Sequence, residues 1–197
     1  MANYVAYNPN DTAQTSFLSA LALGETGNSS YASTEGFGGV NLSGATTDAN
    51  GFPLQSPGTN VSSAAGTFQF LQGTYDQVAA ELGLDNSFSQ SDQNQAAWQL
   101  AQNTYAAKTG GSLYDALKAG NYQSVQSALT SIWPSVSGNG SAPQGLAHSL
   151  EAGLGANVPF PPLTAERQTL LAMVTDRLNH RGLFSAILKT GLNASAS

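Results

Sequence analysis

The chain has 197 residues, enough to bury a full hydrophobic core without disulfides or a structural metal. It has no cysteine and two well-separated histidines, which excludes thiolate metal sites, cysteine nucleophiles and any Ser-His-Asp arrangement needing clustered imidazoles. Six basic residues against twelve acidic ones give a formal charge of -6, which excludes a nucleic-acid partner held by phosphate neutralisation; no cofactor is expected.

The opening Met1-Ala2-Asn3-Tyr4-Val5-Ala6-Tyr7 lacks the basic region and apolar core of a secretory signal. No segment approaches the length that spans a bilayer, so synthesis in the cytoplasm without stable membrane insertion is expected. From Thr12, the spacing of Phe17, Leu18, Leu21 and Ala22 predicts a first helix, stopped near Glu25 by Gly24 and Gly27. Residues 26–66 are rich in Gly, Ser, Thr and Asn, with short apolar pieces from Phe37 to Leu42, and read as loops with a small hairpin lining a cleft. Thr74 and Gln77 are spaced as a capping box for a second helix running to Gly83. Ser89 and Asp92 open a longer, central helix through Ala96, Ala97, Leu100, Ala101 and Tyr105, closed by Gly110-Gly111. Two shorter helices follow, Ser112 to Ala119 and Tyr122 to Trp133, the second ended by Pro134. A Gly/Ser loop at Ser137–Ser141 precedes a helix near Gln144–Ala152. A Pro- and Gly-rich connector comes next, then two helices beyond Thr164 separated by Gly182.

Glu25 stands out among the acidic residues. A carboxylate at a helix C-terminus faces the negative end of the macrodipole, and partial burial beside Leu21, Leu23 and Gly24 acts in the same direction. Both favour a carboxylic acid that keeps its proton, the group glycosidic cleavage requires. A solvated Glu at a frayed helix end is the alternative. His148 and His180 have no acidic or hydroxyl constellation nearby in sequence and are given no catalytic role.

The run Ser63-Ala64-Ala65-Gly66-Thr67-Phe68-Gln69-Phe70-Leu71 resembles the segment after the catalytic Glu in the lambda-phage endolysin family of lytic transglycosylases. Tyr75-Asp76, Leu82-Gly83-Leu84, Phe88-Ser89 and Asp92-Gln93 follow in register, and Ser131-Ile132-Trp133-Pro134-Ser135 resembles the family's Ile-Trp-x-Ser stretch. Gly24-Glu25-Thr26-Gly27 sits where the family has Glu-Gly-Thr, and Gly38-Gly39 where it has a Gly pair. The likeness spans about residues 12–150. The family's His-Pro pair is missing, with Phe52-Pro53 nearest to it, and Gly140-Ser141-Ala142 stands where the family has a loop Tyr.

The resemblance implies a mostly α (α+β), lysozyme-like fold with a small irregular or β lobe and a cleft between the lobes. It also implies peptidoglycan glycan strands as substrate, cut without water between N-acetylmuramic acid and N-acetylglucosamine, with Glu25 as acid and base. Gln69 and Phe68 match a position beside the Glu, where an amide suits acetamido and hydroxyl groups and an aromatic face suits a sugar ring; core packing is the other reading of Phe68. Tyr31, Ser135 and Tyr75 are further substrate-binding candidates, and Trp133 reads as core. A hydrolytic muramidase using Glu35 or Asp48 opposite Glu25, and a non-catalytic module of the same fold, are the competing readings. Residues 1–153 are expected to form the catalytic domain, 154–163 a connector and 164–197 a helical extension. The apolar stripe Leu170, Leu171, Val174 and Leu178, together with four of the six basic residues, fits the extension to self-association or to a virion protein. A phage protein made in the host cytoplasm and acting on the periplasmic wall is the implied setting.

Overall fold

The computed structural model describes residues 4–26, 35–36, 40–42, 44–54, 63–84, 87–138 and 145–154. The expectations for Tyr31, His180, the connector and the extension 164–197 lie outside these. Six α-helices are described: α1 (Thr12–Thr26), α2 (Gln72–Leu82), α3 (Gln90–Thr109), α4 (Leu113–Lys118), α5 (Tyr122–Leu129) and α6 (Gly145–Leu154). Among the described residues between α5 and α6 lies a 3-10 turn, Pro134–Ser137. Among the described residues the strands form a two-residue antiparallel pair, β1 (Glu35–Gly36) with β2 (Val40–Asn41), in which Glu35 faces Asn41 and Gly36 faces Val40. The expected small hairpin is present. No helix among the described residues is long and apolar enough to cross a membrane.

Helix α1 is capped by Asp11, whose Oδ1 accepts from the amides of Ala13 (2.9 Å) and Gln14 (3.1 Å) and so satisfies two of the orphan donors at a helix start. Its Phe17 and Leu21 are wholly buried, and the helix packs on α3, α4, α6 and the 3-10 turn. The central helix α3 has the capping box read from Ser89 and Asp92, and ends where Gly110 turns left-handed at φ 72°. Two long-range bonds tie the N-terminal segment to it: Val5 N–H donates to Gln102 Oε1 (2.8 Å), and Trp98 Nε1 donates to the Val5 carbonyl (2.7 Å). Phe17 meets Trp98 edge to face at 5.8 Å between ring centres.

Two expected boundaries are corrected. Helix α2 starts at Gln72 after Leu71, without a side-chain cap, so Thr74 lies inside the helix and forms no capping box with Gln77. The amides of Thr74 and Tyr75 already donate to the Leu71 carbonyl at 3.1 and 3.0 Å, because the preceding turn delivers the chain in helical register. Helix α5 ends at Leu129, not at Trp133. Pro134 excludes the α conformation from the residue before it, and Trp133 is extended at φ -126°, ψ 85°. The chain between tightens instead, with the amides of Ile132 and Trp133 both donating to the Leu129 carbonyl at 3.0 Å.

Between these elements a tight turn, residues 66–69, is closed by paired 2.9 Å bonds between the backbones of Ala65 and Phe70. Gly66 sits there at φ +76°, and a Cβ on it would lie 2.2 Å from Gln93 Oε1 and 2.9 Å from Phe88 Cζ. Gln93 cannot yield, being 0% exposed with its Oε1 accepting from Thr67 N–H and its Nε2 donating to the Phe88 carbonyl, both at 2.9 Å. Gly66→Ala is therefore expected to lower unfolding free energy by about 2 kcal/mol or more, as a shifted urea midpoint at constant slope. A midpoint within error of wild type would refute this.

Candidate active site

Because Phe17, Leu18, Leu21 and Ala22 anchor α1 in the core, its last turn is fixed, and Glu25, the penultimate residue, is half-buried at the helix C-terminus. The Thr26 hydroxyl donates to the Ala22 carbonyl (2.8 Å) and so occupies one acceptor at the helix end. Ser135 Oγ donates a hydrogen bond to Glu25 Oε1 across 110 residues of sequence. A Cβ on Gly24 would lie 3.8 Å from that Oγ, so the hydroxyl rests directly against the final turn of α1. Burial raises the Glu25 pKa, the direction expected of partial burial, and the Ser135 hydrogen bond opposes it.

The position of Ser135 is itself determined by its neighbours. Trp133 and Val136 are 3% and 1% exposed, and Trp133 Nε1 donates to the Phe68 carbonyl at 3.0 Å. That bond ties the 3-10 turn to the turn at 66–69, so Glu25, Ser135 and Gln69 belong to one connected patch of structure. Gln69 is half-buried with φ 47°, a left-handed conformation uncommon outside glycine. Its Nε2 donates to the Gly66 carbonyl (2.8 Å), so the amide braces its own turn.

Phe68 and Tyr75 are corrected as sugar-binding candidates. Phe68 is 1% and Tyr75 0% exposed, and their rings belong to an aromatic core. Phe68 packs edge-on to Phe70 at 6.1 Å, and Tyr75 packs against Phe70, Phe52 and Phe88 at 5.5, 5.9 and 4.7 Å. Burial against other rings leaves neither a free face for a pyranose. Trp133 is core, as read. His148 is exposed on α6.

Of the two carboxylates considered as partners of Glu25, Asp48 is committed elsewhere. Its Oδ1 accepts from the amides of Asn50 (2.9 Å) and Phe52 (3.0 Å), and its Oδ2 accepts from Gln72 Nε2 (2.8 Å). Asp76 stands beside it; burial raises the Asp76 pKa, Asn50 lowers it, and the neighbouring Asp48 raises it again. Nothing in the sequence pointed to Gln72 or Asp76 as partners of Asp48, since the contacts cross from loop to helix. Glu35 is placed by its backbone in β1, and its side chain lies outside the described structure. Among the described residues no three His, Asp or Glu side chains converge as a metal-holding group.

The arrangement can donate and take back one proton at a carboxyl group shielded from water on one side. A family model described as Endolysin matches residues 15–152. Among solved structures, bacteriophage lambda lysozyme complexed with a chitohexasaccharide is similar, with a TM-score of 0.53 and 20% identity over 75% of this chain and 97% of that one. No curated protein sequence matches the chain.

Proposed function

The chain belongs to the endolysin family, phage enzymes of lysozyme-like fold that degrade peptidoglycan, and from that premise we propose that it is a lytic transglycosylase with Glu25 as both acid and base. The carrying observation is the Glu25 carboxyl itself, half-buried, biased toward its protonated form and hydrogen-bonded by Ser135. Glu25 protonates the bridging oxygen between N-acetylmuramic acid and N-acetylglucosamine as the bond from that oxygen to C1 breaks. The muramyl C6 hydroxyl then attacks C1, and its proton passes to the Glu25 carboxylate. One bond is broken, one is formed, and the proton lost in the first step is regained in the second. The attack is intramolecular, so its effective molarity is high and no second protein carboxylate is needed.

The commitment of Asp48 to three donors, two amides of its own loop and Gln72 on α2, favours this reading over hydrolysis with Asp48 as the carboxylate opposite the acid. Gln69, joined to the Ser135 region through the Phe68 carbonyl and Trp133, is proposed to meet acetamido or hydroxyl groups of the glycan. Catalysis is assigned to residues 1–153, and contacts with a second copy or a virion protein to residues 164–197.

Mass spectrometry of peptidoglycan digested in 18O-labelled water tests the reaction. Anhydromuramyl ends without label are expected. Reducing muramic acid ends carrying 18O would overturn the transglycosylase reading in favour of a muramidase.

A further inference from the structure

We propose that Ser135 is a positioning residue that divides the work of the Glu25 carboxyl between its two oxygens, occupying Oε1 and leaving Oε2 to exchange the proton with the glycan. This role rests on Glu25 being the acid and base described above. A carboxyl group can hold its proton on either oxygen, but a general acid transfers it only from the one facing the leaving atom. A serine hydroxyl has a single proton to donate, and Ser135 gives it to Oε1. With Oε1 already engaged, the acidic proton resides on Oε2, and the carboxylate takes up the second proton at the same atom. The group need not rotate between the two steps.

The backbone leaves Ser135 little freedom to do otherwise. Trp133 and Val136 are buried on either side of it, Pro134 starts the turn, and Gly138 N–H closes it onto the Ser135 carbonyl at 3.1 Å. The hydroxyl therefore does not have to be recruited when substrate arrives. As Glu25 gives up its proton it becomes an anion in a half-buried position, and a hydrogen bond to a charged acceptor is about twice as strong as one to a neutral acceptor. The contribution of Ser135 thus grows along the reaction coordinate and is realised in turnover rather than in ground-state binding.

No other group in the described structure competes for this task. The elements packed against α1 carry Asp92, Tyr105 and Lys108 on α3, Tyr114, Asp115 and Lys118 on α4, and His148 and Glu151 on α6. None of these acts on Glu25, whose proton affinity is set by burial and by Ser135. The 3-10 turn has no titratable side chain.

The test compares Ser135→Ala and Ser135→Thr with wild type, using pH–rate profiles on soluble glycan fragments and 13C titration of the Glu25 carboxyl. In Ser135→Ala, kcat is expected to fall about ten- to a hundredfold with KM little changed. The alkaline limb of kcat/KM should move to higher pH, because the influence opposing burial is gone. The 13C midpoint of Glu25 should move the same way, a readout that needs no activity. Ser135→Thr keeps the donor and should return both midpoints to wild type. A raised KM with an unmoved limb would mean that Ser135 binds substrate directly, and would overturn the proposal. So would an unmoved carboxyl midpoint in a folded variant, while an intact alkaline limb in wild type would leave the role of Glu25 standing. If wall cleavage survived Glu25→Gln, the reading of Glu25 and this inference would fall together.

Discussion

Glu25→Gln is expected to reduce cleavage of purified peptidoglycan by about a thousandfold or more, within the range that general acid catalysis supplies. Glutamine fills the same space and can still accept the Ser135 hydrogen bond, but it cannot release a proton to a leaving oxygen and recover one from a sugar hydroxyl. Retention of a tenth of the wild-type rate, a loss of only about 1.4 kcal/mol in transition-state stabilisation, would show that Glu25 is not the essential acid. The same variant carries a stability signature. Burial raises the Glu25 pKa in the folded protein, so the native state binds more protons than the unfolded chain between the unfolded and folded values. Wild-type stability contributed by this group consequently falls as pH rises through that window and stays low above it. Glutamine does not titrate, so Glu25→Gln is expected to match wild type at low pH and to gain on it as pH rises. Urea unfolding at both ends of the window measures the difference. A variant that lost stability relative to wild type with rising pH would contradict the buried-acid description.

Trp133→Ala is expected to have the largest effect on stability, about 3–5 kcal/mol, since it empties a large buried site. Trp133 is 3% exposed, packs 6.5 Å from Phe70 and holds the Phe68 carbonyl through Nε1. Against the 5–15 kcal/mol typical of a folded domain this is a large fraction, so circular dichroism must first establish that the variant is folded. Trp133→Phe separates the two contributions. It keeps most of the ring but removes the N–H donor, at an expected cost of about 1–3 kcal/mol for the buried carbonyl left behind. Because that bond joins the turn at 66–69 to the turn carrying Ser135, the phenylalanine variant should also lose turnover. Wild-type urea midpoint and wild-type activity together in Trp133→Phe would show that the link has no such function.

Both experiments act on contacts of different legibility in the sequence. Helices α1, α3 and α4 were readable because their signals are local: apolar spacing over a few turns, Ser89 with Asp92 and Ser112 with the Asp115 amide at the starts, and Gly110 and Gly120 at or just beyond the stops. Glu25 was readable for the same reason, since its place at a helix end follows from the pattern of Leu21, Ala22 and Gly24. The ordered likeness to the endolysin family supplied the rest of the functional expectation. The starting residue of α2 and the early end of α5 were misread: a turn delivering the chain in register overrode the capping-box spacing of Thr74 and Gln77, and Pro134 kept Trp133, anchored to a distant carbonyl, out of the helix.

The amino-acid sequence by itself determined the helical architecture, the place of Glu25 at a helix end and the family. The tertiary structure decided which aromatic rings are core and which partners the carboxylates have. Phe68 and Tyr75 have the side chains of sugar-binding residues, but burial depends on what the assembled chain places around a ring, which local pattern does not encode. Asp48 and Glu25 are both carboxylates beside loops. One is held as an acceptor by two amides of its own loop and by Gln72, and the other is half-buried and meets, among the described residues, the hydroxyl of Ser135, brought from 110 residues away. Energies between neighbours along the chain can be read from spacing, whereas a contact of that sequence separation exists only once the intervening helices have packed.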